Sequence, residues 1–393
     1  MPKLCIIVID AWGIGALPDA AAYGDTGSAT TQNCARAVGG LRLPTLQRWG
    51  LGNIASIDGV ATNVTPSGSF GKMAERSEGK DTTTGHWEMM GVVLDRGFAL
   101  NPNGFSKTLI DAFVRETGCG GVLGNRAASG TQILVELGAE HLRTGFPIVY
   151  TSGDSVFQIA AHESVVPLEK LYAWCETARR LVDPLRIARV IARPFVTTPD
   201  GKFVRTYNRR DFSMSCPTET ALDVLKARGV PVWGVGKIPD IYDHRGMTRE
   251  IHTEGNADGL ARTPALLAEL AREPHGGLLF VNLVDTDMLF GHRRDAAGYA
   301  RAMQEIDVAL PSIAQALSPG DLLVLTGDHG NDPTAPGTDH TREYVPLVCY
   351  APSRSRGSDL GTRGSFADLA QTTRAFFGLP VAGPGRSFLN DVV

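Results

Sequence analysis

The 393-residue chain is short of several things, and each shortage removes a class of protein. No two cysteines stand in a C-x-x-C pair. The six that occur, Cys5, Cys34, Cys119, Cys175, Cys216 and Cys349, are scattered, which argues against a structural zinc site or a disulfide frame and for reduced thiols in a cytoplasmic protein. There is no surplus of positive charge: 38 Lys and Arg face 42 Asp and Glu, a net charge of −4. That balance excludes a basic field for nucleic acid and a polybasic membrane patch, so any anion must be held by a local cluster. No apolar run reaches the length of a membrane span. The run near the N-terminus is too short for a signal-peptide core and is broken at once by Asp10. Internal repeats and low-complexity tracts are missing as well.

An apolar fraction of 43%, a charged fraction of 20% and 45 glycines describe an ordinary folded chain, longer than one hydrophobic core usually organises. Three of its apolar runs end alike. Leu4-Cys-Ile-Ile-Val-Ile9 runs into Asp10, and Leu278-Leu-Phe-Val-Asn-Leu-Val284 runs into Asp285-Thr-Asp287-Met-Leu-Phe-Gly-His292. Leu323-Val-Leu-Thr-Gly runs into Asp328-His329-Gly330, with His340 following in a Gly- and Pro-rich loop. Unbroken apolar runs of this length read as central parallel strands. Ligands of open α/β sheets bind beyond the carboxyl ends of such strands.

Between these runs the texture varies. The stretch after Asp10 is rich in Gly, Thr, Ser and Asn, with one short helix expected over Pro44–Trp49. From about residue 99 to 216 short mixed elements are expected: a helix at Ser106–Glu116, strands at Phe146–Thr151 and Val156–Ala160, and a helix at Pro167–Leu181. A hairpin pairing Arg189–Thr197 with Lys202–Tyr207 closes this set. After Pro217 helices and strands alternate: helices 218–228, 262–272, 295–317 and 365–377, strands 230–235, 277–284, 321–326 and 345–350. The expected architecture is an α/β core with a mainly parallel sheet and helices on both faces. It is built from residues 1–98 and 217–393, with an α+β cap inserted at 99–216 and docked over the ligand-bearing edge.

Asp10, Asp287, His292, Asp328, His329 and His340 form one pool of oxygen and imidazole donors. Without thiolate, that pool suits Mn²⁺, Mg²⁺, Fe²⁺ or Zn²⁺ at a catalytic site. Any one Asp at a strand end is more often a loop solubiliser or a cap, and any one His more often structural; three such strand ends together argue for a metal centre. Six ligands are too many for one tetrahedral ion with an open position, so two ions are the economical reading, suited to holding the entering and leaving oxygens of a phosphoryl transfer. Gly79-Lys-Asp-Thr82-Thr-Thr-Gly85-His86-Trp87-Glu88 places three threonines before a helix-forming run, with Thr or Gly as the N-terminal cap and Glu88 in the first turn. A hydroxyl there faces the positive end of a helix dipole, and a dication would activate it as a nucleophile. Simple capping explains the threonines equally well, and local chemistry does not choose among Thr82, Thr83 and Thr84.

These motifs together resemble bacterial phosphopentomutase, in the alkaline phosphatase superfamily. The resemblance extends to Gly124-Asn-Arg-Ala-Ala-Ser-Gly-Thr131, to Ile148–Glu163 and to Ala192-Arg-Pro-Phe195 in the insert, and so covers nearly the whole chain. It implies an alkaline-phosphatase-like core and an isomerase that interconverts α-D-ribose 1-phosphate and D-ribose 5-phosphate, and the 2-deoxyribose pair. The implied route runs through a phosphothreonine and a sugar bisphosphate, with glucose 1,6-bisphosphate or ribose 1,5-bisphosphate as activator. It selects Thr82 as nucleophile, one Mn²⁺ on Asp10, Thr82, Asp328 and His329, and a second on Asp287, His292 and His340. It also implies substrate contacts at Ser152, Asp154, Arg193, Arg209 and Lys237, with Arg205 and Arg210 left as surface residues. The implied partners are small pentose phosphates, and the chain is expected to be a monomer. Rival readings are a cofactor-independent phosphoglycerate mutase or phosphomonoesterase on the same core, and a scaffold whose Asp/His cluster serves only the fold.

Overall fold

The computed structural model describes every residue except Met1 and Asp154. The chain divides into two compact units, one made of Met1–Arg96 with Cys216–Val393 and the other of Gly97–Ser215. The first unit begins with strands β1 (Lys3–Ile9) and β2 (Ser69–Met73). The second contains β3 (Leu123–Ala127), β4 (Ile148–Thr151), β5 (Val156–His162), β6 (Arg189–Thr197), β7 (Phe203–Arg205) and β8 (Arg210–Ser213). The chain then returns to the first unit with β9 (Val232–Val235), β10 (Arg249–Ile251), β11 (Gly277–Leu283), β12 (Leu322–Thr326), β13 (Val345–Tyr350) and β14 (Asp359–Arg363).

The first unit is one eight-stranded sheet in the order β10-β9-β11-β1-β12-β13-β2-β14. Its left-hand five strands are all parallel, β13 runs antiparallel between β12 and β2, and β14 is parallel to β2. Every residue of β1, β11 and β12 is buried, which is why these strands read as mainly apolar runs rather than alternating ones. Cys5, Ile7 and Ile9 share a core with Trp49, Leu267, Met303 and Ile306, joining the sheet to the helices Pro44–Trp49, Asn256–Leu270 and Ala296–Gln315. Each such large side chain contributes about 1.5–3 kcal/mol on leaving water.

The expected helices and strands are present, with two kinds of difference. The helix expected over 262–272 starts earlier, at Asn256, and carries Pro264 in its interior. Strands β2, β10 and β14 were not foreseen, being short, glycine-containing or at the sheet edge. In the second unit the hairpin forms as β6 with β7, in the register Phe195 with Arg205 and Thr197 with Phe203. Helix Gln132–Thr144 and strands β3 and β8 complete a mixed six-stranded sheet. Among the described residues no helix is long and apolar enough to cross a membrane.

Candidate metal centre

Strands β11, β1 and β12 are parallel neighbours, so their carboxyl ends lie side by side, and the aspartates that follow them start from one edge. The turn after β1 is set by Ala11, held at φ +62°. There its N–H donates to Asp328 Oδ1 at 3.1 Å, and its carbonyl accepts from the Tyr299 hydroxyl at 3.2 Å. Asp10 is fixed through both ends: its carbonyl accepts from Thr286 Oγ1 at 2.6 Å and its Oδ2 from Asn282 Nδ2 at 3.2 Å. After β11 the chain makes a π-helical turn, Thr286–Gly291. With His292 N–H bonded to the Asp287 carbonyl, residues five apart face the same way, and His292 Nε2 comes 3.2 Å from Asp287 Oδ2.

His329 lies at the middle. Its Nε2 is 3.1 Å from Thr82 Oγ1, 3.4 Å from Asp10 Oδ1 and 3.3 Å from Asp328 Oδ2. The His340 ring lies 4.0 Å from that of His329 and 4.8 Å from that of His292, and its Nε2 is 3.5 Å from Asp287 Oδ1. Nδ1 of His329 and of His292 faces a backbone carbonyl, Gly330 at 3.0 Å and Thr338 at 2.6 Å. Those nitrogens therefore carry the protons and leave each Nε2 to the site. Two sets have donor atoms within 4.8 Å of one another: Asp10, Asp328 and His329, and Asp287, His329 and His340. His329 is within reach of both, and His292 joins through Asp287.

The donor set fits divalent cations on structural grounds. Asp10 Oδ1, Asp328 Oδ2 and His340 Nε2 are buried and have no hydrogen-bond partner among the described residues. Orphaned lone pairs of this kind are costly unless something else satisfies them. Without metal, protons take the part of the cations. Burial and the neighbouring Asp328 hold the Asp10 carboxyl above its usual range. Burial would lift Asp287 too, but His340 and His292 pull it well below. The His329 imidazole, which burial would lower, is held well above its usual value by Asp328 and Asp10. The hydrogen bond to Asp287 lifts His292 to about 9.

Thr82 opens the helix Thr82–Met89. The expected Thr or Gly cap is replaced by Asp81, whose carboxylate accepts from Thr84 N at 3.1 Å and Thr84 Oγ1 at 2.6 Å. Glu88 sits in the last turn instead of the first, and its buried carboxylate accepts from the backbone of Arg76, Ser77 and Phe366 and from Ser365 Oγ. With the Thr84 hydroxyl bonded to its cap, the Thr82 hydroxyl is the one that meets His329. Gly85 lets the helix approach, since a Cβ there would come 2.2 Å from the Asp328 carbonyl oxygen. Sequence reasoning passed over two neighbours. His86, fully buried, places Nδ1 2.8 Å from the Thr82 carbonyl and 3.3 Å from Asp328 Oδ2. Asn331 donates to Asp287 Oδ1 at 2.7 Å. Asn331 sits in the Asp-His-Gly-Asn-Asp run, where an Asn after Gly reads as a turn.

Lys237 is exposed just beyond β9, at the same sheet edge. The segment after it is tied to the Thr82 helix, for Trp87 Nε1 donates to the Ile241 carbonyl at 3.0 Å and the Tyr242 hydroxyl donates to the His86 carbonyl. Within the second unit, Arg193 is half-buried on β6 and donates to Gln158 Oε1 at 3.0 Å. Burial and the charges of Arg209 and Arg205 depress its pKa. Arg209 forms a two-point pair with Asp211 at 2.7 and 2.6 Å. Arg205 and Arg210 are exposed, Arg205 donating to the Tyr150 hydroxyl at 3.2 Å and Arg210 lying over the Phe212 ring. Ser152 is half-buried after β4, and Asp154 falls outside the described residues.

Comparison with known proteins shows the family. Residues 2–381 match the model of the Metalloenzyme superfamily. The chain is 64% identical over 390 residues to the phosphopentomutase of Anaeromyxobacter sp. (strain K), covering 99% of each. It is 53% identical over 391 residues to that of Symbiobacterium thermophilum, covering 99% of this chain and 98% of the relative. Among solved structures, the PH0037 protein from Pyrococcus horikoshii superposes with a TM-score of 0.50 at 14% identity, over 96% of this chain and 97% of that one, a likeness of fold alone. With full-length identity of this order and a superfamily match across the core, the chain belongs to the phosphopentomutase family of the alkaline-phosphatase-like metalloenzymes and is an isomerase.

Proposed function

We propose that this enzyme interconverts α-D-ribose 1-phosphate and D-ribose 5-phosphate, and the 2-deoxyribose pair, through a phosphothreonine at Thr82 and a sugar bisphosphate. The observation that carries the reading is the Thr82 hydroxyl, 3.1 Å from His329 Nε2 at the start of a helix and beside buried carboxylate oxygens that have no hydrogen-bond partner among the described residues. Asp10, Thr82, Asp328 and His329 would hold one Mn²⁺, and Asp287, His292 and His340 the other, with His329 within reach of both sets. When bound, two such ions supply Lewis acidity that lowers the hydroxyl's pKa and neutralises phosphoryl oxygens.

The chain's own groups do the rest. The N–H groups and dipole at the start of the Thr82 helix favour the negative charge of a phosphoryl group attached there. His86, through the Thr82 carbonyl and Asp328, keeps the nucleophile and a carboxylate in one arrangement. Substrate binding is assigned to Ser152, Asp154, Arg193 and Arg209 of the second unit, which we read as the cap, and to Lys237 of the first; arginine's planar fork suits phosphate. Glucose 1,6-bisphosphate or ribose 1,5-bisphosphate would prime Thr82. Six buried cysteines, all free, suit the reducing cytoplasm.

Phosphorus NMR with Mn²⁺ and a trace of glucose 1,6-bisphosphate tests the reading, offering ribose 5-phosphate, 3-phosphoglycerate and p-nitrophenyl phosphate in parallel. Isomerisation of the pentose phosphate without release of inorganic phosphate is expected. Hydrolysis in place of isomerisation, or turnover of 3-phosphoglycerate alone, would discard it.

A further inference from the structure

The segment that follows His340 is extended, and its side chains alternate. Thr341 and Glu343 turn one way: the Thr341 hydroxyl donates to Glu343 Oε1 at 2.7 Å, and Glu343 also accepts from Thr30 N, Thr30 Oγ1 and Gly15 N. Arg342 turns the other way, its side chain only 3% exposed. There it meets the stretch that leads into Thr82. Its Nη1 donates to the carbonyls of Ser77 at 2.8 Å and Gly79 at 2.6 Å, and its Nη2 to that of Glu75 at 3.0 Å. These are carbonyls i, i+2 and i+4 of the segment that follows β2. Two carboxylates complete the set, Glu75 Oε2 at 2.8 Å and Asp19 Oδ2 at 3.0 Å. Asp25 adds a second tie, accepting from Arg342 N at 2.8 Å and from Lys80 Nζ at 3.1 Å.

We propose that Arg342 is a positioning residue for phosphoryl transfer: one guanidinium holds the run-in to Thr82 in register with the loop that carries His340. It lies two residues after His340, and the last carbonyl it grips lies three residues before Thr82. No other residue type supplies five donors in a rigid fork to three carbonyls and two carboxylates at once. Buried carbonyls left without that fork would seek other partners, and the run-in would shift with them. The inference rests on Thr82 being the nucleophile.

The test is Arg342→Lys, which keeps the charge and loses the fork, assayed beside Thr82→Ala. The expected R342K protein is folded by circular dichroism and binds two Mn²⁺. Its KM for ribose 5-phosphate stays within about threefold of the parent. Its kcat at saturating Mn²⁺ falls on the order of a hundredfold, the loss that a misplacement of about 1 Å produces. A folded R342K with unchanged kcat overturns the proposal, and so does a lowered kcat that excess Mn²⁺ restores, because Arg342 would then serve only metal retention. If R342K does not fold, Glu75→Gln loosens the same fork from its other side. A kcat about tenfold lower with unchanged KM is then expected, and an unchanged kcat overturns the proposal. Full activity in T82A instead defeats the assignment of the nucleophile and is read separately.

Discussion

Asn331→Ala is expected to tell the two proposed ions apart. The Asn331 amide, 1% exposed, donates to Asp287 Oδ1 at 2.7 Å and lies 3.4 Å from His292 Nδ1, both members of the second ligand set. Its own N–H is engaged elsewhere, by Thr30 Oγ1 at 3.1 Å, and the substitution leaves that bond in place. A hydrogen bond to a charged group contributes about 1.5–3 kcal/mol. Loss of an outer partner of a metal ligand typically weakens the metal by about 10–100-fold, or roughly 1.4–2.8 kcal/mol, so two independent routes agree on the size. Manganese titration followed by calorimetry or by electron paramagnetic resonance should therefore show one site weakened by that factor and the other nearly unchanged. Gly291→Ala should act in the same direction, because its Cβ would stand 2.7 Å from the Asn331 amide nitrogen. Equal weakening of both sites in N331A, or of neither, would refute the idea that Asn331 orients Asp287 for its own ion.

Ala11→Gly is expected to raise stability by about 0.5–1 kcal/mol, the left-handed cost of a Cβ less glycine's extra freedom in the unfolded chain. A lower urea midpoint would show that the Ala11 conformation, at φ +62°, carries no strain. Raised to about 9, the His292 imidazole is protonated at neutral pH in the metal-free protein and must release its proton to ligate. Mn²⁺ affinity should thus climb as pH rises towards 9, with a proton released on binding; calorimetry in buffers of different ionisation enthalpy measures it. Because the folded value lies above the unfolded 6.5, the stability this group adds is full below pH 6.5. It is lost as pH rises through 9, so the metal-free protein should melt earlier at pH 9 than at pH 7. Arg193→Met should raise KM for ribose 5-phosphate about tenfold or more with a smaller change in kcat, and an unchanged KM would remove Arg193 from substrate binding.

The strand ends were legible because burial on both faces leaves β1, β11 and β12 largely apolar, Asn282 and Thr326 being the polar residues near the tips, until the aspartates that follow. Their adjacency was an inference from fold class, since β1 is flanked by strands that lie some 270 and 310 residues away in sequence. The cap before Thr82 was not legible. Asp81, Thr82, Thr83 and Thr84 are all capping types, so the local sequence does not say that Asp81 takes the position. The meeting of His292 with Asp287 depends on a π-helical turn that no apolar periodicity announces. Asn331 and Arg342 escaped because a polar residue in a glycine-rich or extended segment reads as solvated until its buried partners are known, and His86 because a polar residue in a short helix reads the same way. Helix Asn256–Leu270 was cut short in the sequence reading, although Pro264 sits in its interior without ending it.

Peptide mapping by mass spectrometry, after incubation with Mn²⁺ and glucose 1,6-bisphosphate, bears most directly on the chemistry set out here. One phosphoryl group is expected, on Thr82. A phosphoryl group on Thr83 or Thr84, or an enzyme that isomerises ribose 5-phosphate while Thr82 is never modified, would contradict it.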